Sequence, residues 1–100
     1  MVVDLGTGDG GAVLRLARQR PDSLVIGVDS SAGGLIDASR KAAGKAALPN
    51  ALFVVGDAAE VLPQLRGCAE EVRITLPWGS LLRRIIDGER AFSLAVAGAL

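Results

Sequence analysis

The stretch MVVDLGTGDGGAVLRLA, residues 1–17, decides the fold. A short apolar run ends at a cluster of glycines, and the apolar residues that follow have helical spacing. This order predicts a strand, a tight turn and a helix. Glycines in such a turn can take positive φ and let the backbone approach a ligand closely, and the start of the helix supplies oriented N–H groups.

The same alternation continues along the chain. Apolar runs at LVIGVD, ALFVVGD and EEVRITL predict three more strands. Between them, SSAGGLIDASRKAA predicts a helix that serines are able to cap, with Leu35, Ile36 and Ala43 on its apolar side, and AAEVLPQL predicts a short helical turn. Two further helices are predicted over residues 80–86 and 89–100. Strands alternating with helices predict an α/β fold of four parallel strands, and near-continuous apolar strands predict a sheet covered on both faces.

Composition restricts the class of protein. The 100 residues are 50% hydrophobic and 22% charged, with 11 basic and 11 acidic side chains, which predicts one globular domain over residues 1–100. The net charge indicates no nucleic-acid partner. The apolar runs are too short to cross a bilayer, so we expect a cytoplasmic protein with no membrane association. Without histidine, and with Cys68 alone, we expect neither a metal site nor an internal disulfide. Cys68 itself is predicted to be a small buried apolar side chain.

The ends of the chain favour an incomplete sheet. The first predicted strand begins at residue 1, and no strand follows the last predicted helix. An open sheet edge readily pairs with other chains. We therefore expect a fragment, a split gene product, or a chain that pairs with something else.

The glycine turn has two interpretations. Gly6, Gly8 and Gly11 fit the spacing of dinucleotide sites, whereas Gly6, Gly8 and Gly10 fit that of S-adenosylmethionine sites. Asp4 before the turn and Asp9 within it would each repel a pyrophosphate, at a cost on the order of a kcal/mol or more. The carboxylates therefore favour a ligand with a cationic end.

Two more acids follow the next strands. Asp29 ends the second strand, where an acid can accept hydrogen bonds from both ribose hydroxyls. Asp57 follows the third strand, and with Ala58, Ala59 and Glu60 it forms the next part of the same crevice, near an adenine. Together these acids describe a site for a nucleoside with a cationic tail.

With these residues in place, the chain resembles the class I S-adenosylmethionine-dependent methyltransferases, through DLGTGDG, GVD and GDAAEVLP. LPWGSLL at residues 76–82 and the connector SRKAAGK…LPN are similar to a narrower group, the aminoglycoside-resistance methyltransferases of the kanamycin–apramycin type. That family modifies N1 of an adenine in the decoding site of 16S ribosomal RNA. The resemblance covers nearly the whole chain and implies a Rossmann-like class I methyltransferase fold, of which residues 1–100 are the N-terminal, S-adenosylmethionine-binding part.

The resemblance also implies roles for particular residues. Trp78 would stack on the flipped target base, opposite a second tryptophan that this chain does not contain. Basic residues would contact 16S ribosomal RNA within the 30S subunit, and the full-length protein would be a monomer that needs no metal. The RNA-binding candidates are Arg40, Lys41 and Lys45, and the cofactor-binding candidates are Asp4, Gly6, Gly8, Asp29, Asp57, Ala59, Glu60, Thr75 and Ser80.

Adenine N1 suits a chain that lacks histidine. A ring nitrogen presents its lone pair in the plane of the base, so methyl transfer requires alignment and no general base. Taking the base out of its stack costs a few kcal/mol, and stacking on Trp78 returns roughly 1 to 3 kcal/mol.

Several alternatives stay open. One alternative is another class I methyltransferase, of the tRNA guanine-N7 type or acting on a small molecule. A second is a non-catalytic cofactor-binding fragment. Trp78 could instead cap the core, and Arg40, Lys41 and Lys45 could simply favour a solvated helix end. Whether Asp57 or Glu60 meets the adenine is also open.

Overall fold

The computed structural model describes residues 1–44, 47–74 and 90–100. The helix predicted over residues 80–86 and the candidates Lys45, Thr75, Trp78 and Ser80 lie outside these ranges. The described elements follow in the order β1 Val2–Leu5, α1 Gly11–Gln19, β2 Val25–Asp29, α2 Ala32–Ala43, β3 Ala51–Val55, α3 Ala58–Val61, a 3₁₀ helix Leu62–Leu65, β4 Glu71–Ile74 and α4 Arg90–Ala99.

The four strands form one parallel sheet in the order β3-β2-β1-β4. The register pairs Val2 with Val25 on one side and with Glu71 on the other, and Val25 with Ala51. The predicted α/β fold of parallel strands alternating with helices is therefore confirmed. Because all strands point the same way, the residues that follow β1, β2 and β3 meet at one edge of the sheet.

Apolar side chains cover the two faces of the sheet unequally. One cluster, around Val3 and Leu5, packs under α3, the 3₁₀ helix and α4, and the other, around Val2, packs under α1. The prediction of a sheet covered on both faces is confirmed for β1 and β2, whose apolar residues are all buried. It is wrong for the two outer strands of the described sheet, because large apolar side chains there remain exposed: Leu52, Val55 and Ile74.

Asn50 fastens the end of α1 to the sheet. Its side-chain Nδ2 donates hydrogen bonds to the carbonyl oxygens of Ala17 at 2.9 Å, Arg20 at 3.0 Å and Ser23 at 3.0 Å. Its backbone carbonyl accepts from the Val25 N–H at 2.8 Å. Carbonyls in the last turn of a helix lack partners within the helix, and the Ala17 carbonyl is one of these, whereas Arg20 is the C-cap and Ser23 follows α1. The two N–H groups of the amide are shared among the three oxygens and join the end of α1 to the segment before β2.

Two sequence predictions about burial are wrong. On α2 the buried residues are Leu35, Ala38 and Ala42, whereas Ile36 is 51% exposed and Ala43 also faces outward. The helix packs through Leu35 and two alanines three and seven residues later, so the side that carries Ile36 and Ala43 faces away from the sheet. Cys68 is exposed because it lies on the turn after the 3₁₀ helix, where its N–H donates to the Leu65 carbonyl at 3.0 Å.

Candidate cofactor site

The glycine turn after β1 is built from left-handed backbone. Gly6, Gly8 and Gly10 have φ of 68°, 61° and 77°, a conformation that residues with a Cβ rarely adopt. The Gly6 N–H donates to the Val28 carbonyl at 2.8 Å, which extends the β1–β2 pairing by one residue. Gly10 then serves as the N-cap of α1. The turn is thus attached to β2 on one side and opens directly into a helix on the other.

Asp29, the last residue of β2, holds the turn from the neighbouring strand. Its Oδ2 accepts a hydrogen bond from the Gly8 N–H at 2.9 Å, and its Oδ1 accepts from the Ser31 N–H at 2.9 Å. An ionised carboxylate offers about four acceptor positions, so two remain for a ligand. Ser31 is the N-cap residue of α2, as predicted, but its side chain makes no capping hydrogen bond. Its backbone N–H instead donates to Asp29, so the aspartate fixes the connection between β2 and α2.

Asp4 and Asp9 occupy different environments. Asp4 is 2% exposed and shares with Val2 the face of β1 that α1 covers, since side chains alternate along a strand. It therefore lies beneath the turn. Asp9 is exposed, and its Oδ1 accepts from the Gly11 N–H at 2.9 Å.

Asp57 begins α3 as its N-cap residue. Its Oδ1 accepts from the Ala59 N–H at 2.9 Å, and its backbone carbonyl accepts from the N–H of Glu60 at 2.9 Å. The connection also reaches β2, because the Gly56 N–H donates to the Asp29 carbonyl at 2.9 Å. Glu60 is exposed. Asp57 is thus fixed in orientation at the sheet edge, whereas the Glu60 side chain lies at the surface.

These candidates lie together beyond the carboxyl ends of the strands, and the strand order indicates a ligand-binding position there. The order reverses between β1 and β4, and in open α/β sheets ligands bind beyond the carboxyl ends of the strands at such a point. Asp4, Gly6 and Gly8 come from β1 and its turn, Asp29 from β2, and Asp57 and Ala59 from the connection after β3.

The RNA candidates on α2 lie apart from this edge. Arg40 and Lys41 are exposed in the last turn of α2, toward the opposite end of the sheet. Arg40 is eight residues beyond the first residue of α2, or about 12 Å along the helix axis. The described residues therefore separate the acidic glycine edge from these basic side chains.

Thr7 is a residue of the turn that the sequence did not single out. It is 1% exposed, and its Oγ1 has no hydrogen-bond partner among the described residues. Its methyl group packs toward Gly27, where an added Cβ would come within 3.0 Å of it. A Cβ at Gly27 would also come within 2.9 Å of Val13 and 3.0 Å of Phe53, so the glycine on β2 leaves room for three side chains, and this crowding is visible only once the strands and α1 are packed.

The described part of the chain has neither a membrane-spanning helix nor a cluster of metal-binding side chains. No helix within residues 1–44, 47–74 and 90–100 is long and apolar enough to cross a membrane. In the same ranges, no three side chains of His, Cys, Asp or Glu are grouped so that they could hold a metal ion.

Comparison with known proteins identifies relatives of one kind. The family model described as NpmA, 16S rRNA (adenine(1408)-N(1))-methyltransferase, matches residues 1–99. A 16S rRNA (adenine(1408)-N(1))-methyltransferase of Streptoalloteichus hindustanus is 44% identical over 89 residues, covering 86% of this chain and 40% of the relative. An Escherichia coli protein of the same description is 39% identical over 92 residues, covering 88% of this chain and 42% of the relative.

Solved structures agree with this assignment. The aminoglycoside resistance methyltransferase NpmB1 superimposes with a TM-score of 0.89 at 40% identity, covering 99% of this chain and 50% of that one. A tryptophan-to-alanine mutant of the 16S rRNA (adenine(1408)-N(1))-methyltransferase from Catenulisporales acidiphilia, solved with cosubstrate SAM, gives 0.87 at 35% identity, covering 98% and 49%. The predicted Rossmann-like methyltransferase fold is thus confirmed. The chain spans about two fifths of the length of the curated relatives, and it belongs to the NpmA family of 16S rRNA (adenine(1408)-N(1))-methyltransferases.

Proposed function

We propose that residues 1–100 are the S-adenosylmethionine-binding part of an enzyme that methylates N1 of a decoding-site adenine in 16S ribosomal RNA. The observation that carries the proposal is the hydrogen bond from the Gly8 N–H to the Asp29 carboxylate, which joins an acid at the end of β2 to the glycine turn after β1. Family membership supports the reaction. This pairing of acid and turn suits a nucleoside whose ribose hydroxyls donate to the remaining acceptor positions of Asp29.

The carboxylates at the edge support a cofactor without phosphates. Asp9 is exposed on the turn, and Asp29 and Asp57 are half-buried beside it. A pyrophosphate placed there would face these anions, whereas the ammonium and sulfonium of S-adenosylmethionine would be attracted. This cofactor supplies an activated methyl group. The proposed cofactor-binding residues are Asp4, Gly6, Gly8, Asp29, Asp57, Ala59, Glu60, Thr75 and Ser80.

The proposed methyl transfer requires only that adenine N1 be aligned with the methyl group of the cofactor. The lone pair of adenine N1 lies in the plane of the ring, so the protein has only to hold the base in line with the methyl group. We assign Trp78 to stacking on the flipped base, from its PWG motif, and Arg40, Lys41 and Lys45 to contacts with RNA phosphates. The partner is 16S ribosomal RNA within the 30S subunit, which places the proposed activity in the cytoplasm, and we propose a monomer for the full-length protein.

Isothermal titration calorimetry tests the cofactor assignment. S-adenosylmethionine and NAD are titrated separately into the chain. We expect heat of binding with S-adenosylmethionine and none with NAD, because only NAD brings a pyrophosphate to the acidic edge. Binding of NAD without binding of S-adenosylmethionine would refute the assignment.

Primer extension tests the reaction. Isolated 30S subunits are incubated with the protein and S-adenosylmethionine, and reverse transcriptase is run through the decoding site. Methylation at N1 blocks the Watson–Crick edge, so a new stop is expected at the target adenine, and Trp78→Ala should weaken or abolish it. Reactions without cofactor are the control. If a full-length version of the protein gave no stop at the target adenine, and its Trp78→Ala variant gave the same result, the ribosomal substrate would be rejected.

A further inference from the structure

The start of α2 lies directly against the glycine turn. A Cβ added at Gly34 would stand 2.6 Å from the carbonyl oxygen of Gly8 and 3.2 Å from the Cα of Asp9. Real Cβ atoms essentially never come within 3.0 Å of another heavy atom, and here the obstructing atoms are backbone. Only a residue without a side chain lets α2 approach the turn this closely.

The preceding residue shows that this requirement is specific. Gly33 lies beside Gly34 in the first turn of α2, and a Cβ added there meets no atom within 4 Å. Helix propensity favours alanine over glycine at either position. Propensity therefore does not explain a glycine at 34, whereas the contact with Gly8 does.

The β2–α2 connection thus contacts both peptide groups of Gly8, the one before it through Asp29 and the one after it through Gly34. Asp29 accepts a hydrogen bond from the Gly8 N–H at 2.9 Å, and Gly34 lies against the Gly8 carbonyl. Gly8 has a φ of 61°, in the left-handed region. Glycine is free to adopt other conformations as well, so the contacts with Asp29 and Gly34 help to fix this one. A shift of α2 away from the turn would remove the contact between Gly34 and the Gly8 carbonyl.

We propose that Gly34 is a positioning residue of the cofactor site, which seats the Gly8–Asp9 peptide by allowing α2 to pack against it. The inference rests on the proposed cofactor function of Gly8. A methyl group at position 34 has to move the Gly8 carbonyl by several tenths of an ångström, since the obstructing atoms are main chain. Misplacing a reacting group by about 1 Å can cost about a hundredfold in rate, and for the smaller shift of a cofactor-binding peptide we expect S-adenosylmethionine binding to weaken by about tenfold.

The first test is a measurement on the turn that needs no ligand. NMR spectra are recorded for the unsubstituted chain, Gly34→Ala and the matched control Gly33→Ala. We expect Gly34→Ala to shift the Gly8 amide resonance and speed its hydrogen exchange, because its bond to Asp29 is strained, while Gly33→Ala leaves both unchanged. A Gly8 amide unaffected by Gly34→Ala would overturn the proposal. A purely structural role for Gly34 would lower the melting temperature without this local change.

Calorimetry on the same three proteins is the second test. We expect S-adenosylmethionine to bind Gly34→Ala about tenfold more weakly and Gly33→Ala within about twofold of the unsubstituted chain. Equal affinities for both variants would overturn the positioning role. If the unsubstituted chain bound no S-adenosylmethionine, the proposed function would fail, and the NMR result would still decide whether Gly34 seats the turn.

A direct contact in the unsubstituted chain covers the case in which Gly34→Ala does not fold. A nuclear Overhauser effect between the α-protons of Gly34 and Asp9 is expected from their close approach. Its absence would overturn the proposal without any variant.

Discussion

Replacing Asp29 with asparagine tests the hydrogen bonds that join β2 to the glycine turn. The carboxylate accepts from two backbone N–H groups, those of Gly8 and Ser31, each at 2.9 Å. Asparagine keeps the shape but has one acceptor oxygen, so its NH₂ group must face one of the two N–H donors. One charged hydrogen bond is lost and the other becomes neutral.

The cost follows from the character of these bonds. A hydrogen bond to a charged group contributes about 1.5 to 3 kcal/mol, and Asp29 is half-buried rather than fully enclosed. We therefore expect Asp29→Asn to lower the free energy of unfolding by about 2 kcal/mol, which corresponds to a drop in melting temperature of roughly 8 to 16 °C for a domain of this size. S-adenosylmethionine affinity should fall with it, because the same carboxylate is proposed to bind the ribose.

Urea denaturation followed by circular dichroism measures the change, with Asp37→Asn as the matched control. Asp37 is an exposed aspartate on the following helix, so its substitution should change the free energy of unfolding by less than about 0.5 kcal/mol. The reasoning is refuted if Asp29→Asn is as stable as the unsubstituted chain, or if the two substitutions cost the same.

Three further substitutions test other parts of the structure. Asn50→Ala should lower the free energy of unfolding in urea by about 1 to 3 kcal/mol, because three carbonyls in the last turn of α1 and the segment after it lose their side-chain donor. Thr7→Val should leave the stability in urea unchanged or raise it by up to about 1 kcal/mol, since the buried hydroxyl has no partner among the described residues. The hydrogen bond from Arg73 lowers the pKa of Glu71 below its ordinary value of 4.5, so this pair stabilises the fold above that pH and loses its effect as the pH falls through the lower folded-state pKa. Glu71→Gln should therefore flatten the acid limb of a stability–pH curve, by a small amount because the pair is exposed to solvent.

Each of these has a contradicting result. A stable Asn50→Ala would mean that water replaces the amide at no cost. Destabilisation of Thr7→Val by more than about 1 kcal/mol would mean that the hydroxyl is hydrogen-bonded in solution. An unchanged acid limb in Glu71→Gln would show that the ion pair does not form, and Asp37→Asn, at an exposed aspartate, is the control for the loss of a negative charge.

Local patterns were sufficient for the fold because they repeat. Apolar runs that stop at glycine or aspartate, followed by helical spacing, place β1, β2 and β3 and their helices within a few residues of the observed bounds. The predicted helix over residues 89–100 is observed as α4. The positions of Asp29 and Asp57 at strand ends follow from the same patterns, since the carboxyl ends of parallel strands share an edge.

Burial was harder to predict. Leu35 and Ile36 are apolar residues of equal size on α2, yet only Leu35 is buried, and Ala38 packs against Gly10 of the turn, where a small side chain is required. Cys68 is apolar enough for a core but follows the 3₁₀ helix on an exposed turn. Both depend on how far apart two elements lie, which a single segment does not encode.

The amino-acid sequence by itself determined the alternation of strands and helices, the glycine turn and the acids that follow each strand, since these depend on residue type and spacing within one segment. Only the tertiary structure decided that Asp29 accepts a hydrogen bond from the Gly8 N–H, that Asn50 holds the end of α1, and that Gly34 lies against Gly8. The physical reason is that these contacts join residues about 20 to 30 positions apart, and their distances are set by strand pairing and helix packing rather than by local preference.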